Sequence, residues 1–415
     1  MKILMCNSFF YLRGGVERCF FGLSDLLVQH GHQVIPFCMA HPRNRPSECA
    51  RYFVSQIDFP SLLERKTGLA AKLKVAERVV YFREAKEKFE QLVRDTQPDV
   101  VHVQEIDHEI SPSILPVAKR FGLPVVQTLH DYKRICPNTN FVSHGEVCER
   151  CRRFYYLPVV WRRCKRGSLP ASLLACFEMY AEKLSRIYER NVDAFITPSR
   201  FLQRKLAQHG FTAPTIHLPN FIDVDRFTPV YEPSDYFLFF GRLVRLKGVE
   251  TLFEAMRHVD ASAKLVVVGE GELEGTLRAY AHRHGISNVT FRGYLDTEAL
   301  IPLIQHAAFT VFPSECYENY PMALLESLAC GTPVIGSNMG GIPEIVEDEH
   351  NGLLFSPGNA PQLAERIQFL LNHRSRAVEM GRNGRCQVEA INHPQRHYEQ
   401  MVGIYRQVMR GQEGR

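Results

Sequence analysis

A short apolar run, a loop and a stretch with apolar residues at helical spacing recur along the chain, and no other feature constrains its fold as strongly. KILMCN is followed by the loop SFFYLRGG, then by VERCFFGLSDLLVQHG with its apolar stripe, then by a second run, HQVIPF. Repeats of this unit imply a parallel sheet covered by helices, because parallel neighbours need crossover connections. Further strand candidates at residues 99–103, 124–130 and 194–197 extend it into one α/β unit over residues 1–225. After a proline-bearing loop at 219–233 a second series begins. Its strands read at Tyr236–Phe240, Lys264–Val268, 289–292, 309–312, 333–336 and Gly352–Phe355, with helices at 249–258 and 273–284. A length of 415 residues lets each unit bury its own core. The expected ligand site is the cleft where the C-terminal ends of the two sheets face each other. The second unit covers residues 226–392. The remaining residues, 393–415, are helical in pattern over 396–410 with one apolar side, which must pack on one of the two units.

Charge is distributed unevenly. Residues 1–200 carry 30 Lys and Arg against 21 Asp and Glu, and the remainder 20 against 24. Seven of the cations lie between positions 150 and 166, around Phe154, Tyr155, Tyr156 and Trp161. Such a patch suits an anionic partner, a membrane surface included, or is a solvated face. Residues 62–95 form a long, charged, helical stretch that reads as an amphipathic hairpin or lid, its apolar face packed on the core or against membrane or acceptor. No run approaches a spanning length, and the N-terminus lacks the apolar stretch of a leader, so the expected location is the cytoplasm, at the inner face of the membrane if the basic patch docks there. Nothing points to nucleic acid.

The residues with the most chemistry lie in FPSECYENYPMALLE, positions 312–326, where Glu318 and Glu326 flank seven residues. A loop entering a helix after a buried strand points N–H groups and a positive helix end at the cleft, which suits phosphate or sugar hydroxyls. A carboxylate there can accept from a ribose diol. FFGRLVRLKG, LVVVGEGELEGTL and GTPVIGSNMGGIPEIVEDEHNGLLF occur with it, in order. With these pieces together the chain resembles the family 4 retaining glycosyltransferases. The resemblance runs over essentially the whole chain and is most specific over residues 239–355. It implies the GT-B fold: two Rossmann-like α/β domains facing a central cleft, acceptor on the first and nucleotide-sugar donor on the second.

The resemblance also implies roles. Arg242 and Lys247 hold the donor diphosphate, as a guanidinium fork and a point charge suit phosphate oxygens. Glu326 is the ribose ligand, and Glu318 lies near the transferred sugar with the amides of Asn319, Tyr320 and Met322. The family has a Phe-Gly pair shortly after this glutamate; Asn319-Tyr320-Pro321 stand here, and Pro321 has no N–H to donate. Gly14 and Gly15, ahead of the first helix, allow backbone to approach the donor. His130, ending the strand PVVQTLH, contacts the donor sugar, and Gly293 and Tyr294 lie where the family places the base.

Two motifs point elsewhere and are set aside. Gly269-Glu-Gly-Glu-Leu-Glu-Gly275 has the wrong spacing for a dinucleotide fingerprint, and its acidic residues would repel a pyrophosphate. Asp223-Val-Asp225 falls in the interdomain loop and reads as structural. Cys136, Cys148, Cys151 and Cys164, within the loop 136–164, have C-x11-C-x2-C-x12-C spacing; a structural zinc is the leading reading, with free thiols, a disulfide or an iron–sulfur cluster as alternatives. The expectation is a cytoplasmic hexosyltransferase using a UDP- or GDP-sugar and a saccharide or lipid-linked acceptor, in cell-surface polysaccharide or glycolipid synthesis, with no cofactor required for catalysis. An epimerase, a phosphorylase or a non-catalytic binding protein on the same fold are the alternatives.

Overall fold

The computed structural model describes residues 1–57, 78 and 81–413. Its first sheet contains β1 (Lys2–Asn7), β2 (Gln33–Phe37), β3 (Val100–Glu105), β4 (Val125–Thr128), β7 (Ala194–Thr197) and β8 (Thr215–His217), in the order β2-β1-β3-β4-β7-β8. Between β4 and β7 lies a two-stranded hairpin, β5 (Val142–Ser143) and β6 (Glu146–Val147). The second sheet contains β9 (Tyr236–Phe240), β10 (Lys264–Val268), β11 (Val289–Phe291), β12 (Thr310–Phe312), β13 (Val334–Ser337) and β14 (Gly352–Phe355), ordered β11-β10-β9-β12-β13-β14. Every pairing in the two six-stranded sheets is parallel. The central strands are accordingly apolar on both faces: Ile3 to Cys6 of β1 are all fully buried.

Helices cover both sheets. α1 (Gly15–Gln29) buries Phe20, Phe21, Leu23, Leu26 and Leu27, as its spacing predicts. α2 (Arg83–Thr96) buries Ala85, Phe89, Leu92 and Val93, so this part of the charged stretch packs on the core; positions 62–77, 79 and 80 of that stretch lie outside the described residues. α3 (Leu169–Ser185) departs from the usual arrangement and is taken up below. The second unit carries α4 (Val249–Ala255), α5 (Glu274–Arg283) and α6 (Met322–Ala329).

The C-terminal helix, α7 (Pro394–Glu413), crosses back to the first unit. Met401, Val402, Ile404, Tyr405 and Val408 share a core with Ile3, Met5, Phe20 and Ile196. Its apolar side therefore belongs to the N-terminal domain although the chain reaches it from the C-terminal one. Among the described residues no helix is long and apolar enough to cross a membrane.

Candidate active site

The cleft is built from strand ends. β9 delivers Gly241 and Arg242, and the turn Arg245–Lys247 then presents Lys247. Gly248, which closes that turn, has φ +63°, and a Cβ there would lie 1.8 Å from the Pro313 carbonyl oxygen, so only glycine permits the approach of this loop to the end of β12. Lys247 Nζ pairs with Glu318 Oε1 at 2.6 Å, and Ser314 Oγ donates to the same oxygen at 2.9 Å. Burial pushes the Glu318 carboxyl up, but Lys247 outweighs it and holds the group below the ordinary range. The same pairing raises Lys247 against the pull of its own burial. Arg242 is exposed and close enough to act on both electrostatically.

The loop carrying Glu318 is held from behind. Gly341 N–H donates to the Glu318 carbonyl at 2.7 Å, and a Cβ on Gly341 would sit 1.7 Å from the Asn319 carbonyl oxygen. Asn319 reaches across the cleft: Ser199 Oγ donates to its Oδ1 at 2.6 Å, and its Nδ2 donates to the Leu129 carbonyl at 3.0 Å. Tyr320 is buried, with its hydroxyl accepting from Asn392 Nδ2. The side chain of Asn319 thus ties the two units together, whereas that of Tyr320 is held within the second. Helix α6 begins after Pro321 with no side-chain cap, and its first residues line a cavity of about 70 Å³ through Pro321 and Ala323, together with Lys247, Ser314 and Glu318.

Glu326, buried within α6, pairs through Oε1 with Arg18 of α1. Its other oxygen, Oε2, is buried with no hydrogen-bond partner among the described residues. An orphaned buried carboxylate oxygen is what a hydroxyl donor would satisfy. Arg18 was not singled out from sequence; the signal was its position one turn past the Gly14-Gly15 pair, where a helix start meets the cleft. Gly14 and Gly15 are exposed, and Gly15 has open space around it. Gly293 (φ +67°) accepts from Gly269 N–H at 2.7 Å, and Tyr294 beyond it is largely exposed.

On the wall formed by the first unit, His130 Nε2 lies 2.5 Å from Gln104 Oε1. Gln104 Nε2 lies 3.1 Å from His102 Nε2, and His102 Nδ1 lies 2.6 Å from the Tyr405 hydroxyl of α7. The C-terminal helix thereby ends a hydrogen-bonded chain that begins in the cleft. Burial lowers His130 to about 4, so its imidazole is neutral at pH 7. Asp131, beside it, is pushed up to about 6, first by burial and then by Asp107. A cavity of about 50 Å³ is lined by His130, Asp131, Glu105, Asp107 and Arg134.

Lys133 and Arg134 anchor this strand end. Lys133 is fully buried and pairs with Glu178 of α3 at 2.5 Å; His108 approaches the same carboxylate at 3.4 Å. Arg134 pairs with Asp107 and, at 3.2 Å, with Glu182 of α3, and stacks 3.6 Å from the Tyr188 ring centroid. These ion pairs were not legible from sequence, since Glu178 and Glu182 look like surface residues of an ordinary helix.

The two set-aside motifs are structural. Cβ atoms on Gly269 and Gly271 would meet the carbonyl oxygens of Gly241 and Leu243 at 1.9 and 2.3 Å, so these glycines back the Arg242 loop. Asp223 Oδ1 accepts from the amides of Asp225 and Arg226 in a turn. The four loop cysteines are free thiols in this structure. Cys136, Cys164 and Cys148 lie within electrostatic reach of Cys151, and amides of Phe141 and Asn138 donate to Cys136. No group of three or more His, Cys, Asp or Glu side chains among the described residues takes up a metal-binding arrangement.

Two parallel α/β units closing on a cleft, with cations and an uncapped helix end on one wall, define a GT-B protein. Solved structures agree on the fold. Sucrose-phosphate synthase from Thermosynechococcus elongatus aligns with a TM-score of 0.70 over 99% of both chains at 22% identity. Anabaena HepE, solved in complex with UDP-glucose, aligns at 0.67 over 97% of this chain and 99% of its own, at 17% identity. Residues 13–226 match Glycosyltransferase Family 4 and residues 222–387 match Glycosyl transferases group 1. The chain belongs to Glycosyltransferase Family 4. Among curated relatives, the GDP-mannose-dependent alpha-(1-6)-phosphatidylinositol monomannoside mannosyltransferase of Mycobacterium tuberculosis is 35% identical over 47% of this chain and 55% of its own. Glycogen synthase of the same organism is 28% identical over 70% and 64%. The chain spans about half the length of the first of the curated relatives it matches.

Proposed function

We propose that this protein is a retaining glycosyltransferase that moves a hexosyl group from a nucleoside-diphosphate sugar to an acceptor hydroxyl, in the synthesis of a cell-surface polysaccharide or glycolipid. The observation that carries the reading is the pocket at the uncapped start of α6, where Lys247 meets Glu318 with Arg242 in electrostatic reach, together with the unpartnered Oε2 of Glu326 on the same helix. Departure of the nucleoside diphosphate develops negative charge, which Lys247, Arg242 and the helix end stabilise. Glu326 takes the ribose once Arg18 yields or shares it. Neutral His130 faces the transferred sugar. The leaving phosphate takes the acceptor's proton, on the same face from which it departs, so the anomeric configuration is kept. No protein nucleophile or catalytic metal is assigned. The donor is a UDP- or GDP-sugar: HepE was solved with UDP-glucose and the mycobacterial relative is GDP-mannose-dependent.

A thermal-shift screen against UDP, GDP, ADP and TDP followed by labelled sugars tests this. The expected result is stabilisation by one nucleotide, because a ligand binding only the folded state raises its stability, and nucleotide release that depends on acceptor. Acceptor-independent interconversion of the sugar would favour an epimerase, phosphate-dependent sugar release a phosphorylase, and binding without release a non-catalytic protein.

The cysteine loop carries a separate prediction. We propose that it holds a structural zinc, on the C-x11-C-x2-C-x12-C spacing and on the electrostatic reach of Cys136, Cys148 and Cys164 at Cys151. Metal analysis of protein purified without chelator is expected to find about one equivalent of zinc, the stoichiometry of a single structural site; less than about 0.3 equivalents rejects the assignment.

A further inference from the structure

Helix α3 carries apolar residues on two faces: Ala175, Cys176 and Met179 are buried, the last two in a cluster with Cys151, Tyr156 and Val159, and a second set faces water. Its carboxylates, Glu178 and Glu182, are buried against Lys133 and Arg134. While Met179 is fully buried, four of its large apolar residues, Leu169, Leu173, Phe177 and Leu184, stand in solvent, Phe177 59% and Leu184 77% exposed. They recur at steps of four and then seven residues, so they form one stripe along the helix. The short helix Pro158–Trp161 packs beside α3 and adds Trp161, 67% exposed, next to the Tyr155 ring; Phe154 and Leu157 are exposed in the same segment. Eight of the fifteen exposed large apolar residues among those described fall within these 31 positions. A scatter of single exposed leucines needs no explanation, but a continuous stripe with an aromatic border marks a docking surface.

The charge around it selects the partner. Arg152, Arg153, Arg163, Arg166 and Arg186 are exposed in this segment, and none makes an ion pair among the described residues. The carboxylates on the same elements are already used: Glu178 and Glu182 inward, Glu189 by Lys183, and Glu149 by Lys205. An apolar stripe bordered by aromatic rings and unpaired arginines matches a bilayer interface with anionic headgroups, where acyl chains meet the stripe and phosphates meet the arginines. We infer that the outer face of α3 and the adjoining basic, aromatic segment dock this protein on an anionic lipid bilayer. The inference is independent of the donor and acceptor proposed for the cleft. The buried ion pairs fix α3 by its inward face, beside Cys176 and Met179, which leaves Leu169, Leu173, Phe177 and Leu184 on the outer one.

Trp161 is the only tryptophan in the chain, so it reports on this surface alone. The test is vesicle flotation with phosphatidylcholine vesicles, with and without phosphatidylglycerol, combined with tryptophan emission. Expected are flotation only with the anionic vesicles and a blue shift of the emission on binding. The double variant Phe177→Glu/Leu184→Glu is expected to lose flotation with an unchanged melting temperature, because both side chains already face water. Arg163→Gln/Arg166→Gln is expected to weaken binding roughly fivefold per arginine removed. Absence of binding to anionic vesicles overturns the inference, as does undiminished binding by both variants. Concentration-dependent dimerisation that Phe177→Glu/Leu184→Glu abolishes, without vesicle binding, overturns it in favour of a second copy of the chain.

Discussion

Lys247→Ala is expected to lower kcat/KM by about two to three orders of magnitude, the usual cost of removing one preorganised group from developing transition-state charge. The position of Lys247 explains why the loss should fall mainly on kcat. In the structure its ammonium already has a partner, Glu318 Oε1 at 2.6 Å, and is held there by a glycine turn that no other residue fits. The charge is therefore fixed before a donor arrives and needs little reorganisation when the diphosphate leaves. Lys247→Arg keeps the charge but replaces a compact ammonium with a planar fork, and is expected to recover only part of the rate. Removing the lysine also leaves Glu318 buried without its cation, so that its carboxyl rises toward protonation. Glu318→Gln in the Lys247→Ala background separates the two effects. If the double variant is as slow as Lys247→Ala, the loss lies in the missing cation; recovery would place it in the stranded carboxylate. Equal nucleotide release from wild type and Lys247→Ala would remove Lys247 from the donor site.

Much of the fold was legible because parallel strands announce themselves. Each of β9, β10 and β14 is a continuous apolar run bounded by glycine or a charged turn, and the expected boundaries match to the residue. β8 was not recognised, because Thr215–His217 is short, edge-placed and only half-buried. The hairpin of β5 and β6 was missed for a similar reason: two-residue strands have no period to detect. In the site, Lys247 and Glu318 were identified separately, but that they bind each other depends on a contact across 71 positions. Arg18 on Glu326 spans 308 positions and joins two domains. Pattern reading assigns residue types to faces of elements; it carries no information on which faces meet. The C-terminal helix shows the same limit, since its apolar side was evident and its partner domain was not.

The sharpest case is α3, and it sets the second large effect. Glu178→Ala is expected to destabilise the N-terminal domain by about 3–5 kcal/mol, because truncating one partner leaves a fully buried lysine uncompensated. For a unit of this size that lowers the melting temperature by about 6–20 °C. The cost belongs to the orphaned charge more than to the lost attraction. Replacing both partners with apolar residues, Lys133→Met/Glu178→Leu, should therefore return most of the stability. If the double variant melts as low as Glu178→Ala, the loss comes from packing and the ion-pair account fails. The pH dependence gives an independent check. Burial opposes the Glu178 charge, but Lys133 and His108 overcome it and hold the carboxyl far below its ordinary range. Its contribution to stability is thus complete above the unfolded value near pH 4.3 and is lost as the pH falls from there toward the folded value. Acid unfolding followed at several pH values should show a shallower decline in Lys133→Met/Glu178→Leu than in wild type. Lys133 and Arg134 follow His130 and Asp131 by only a few residues, so the same variants should lower turnover even where the protein remains folded. A turnover loss in Lys133→Met/Glu178→Leu at full thermal stability would show that the buried pairs position the cleft as well as hold the helix.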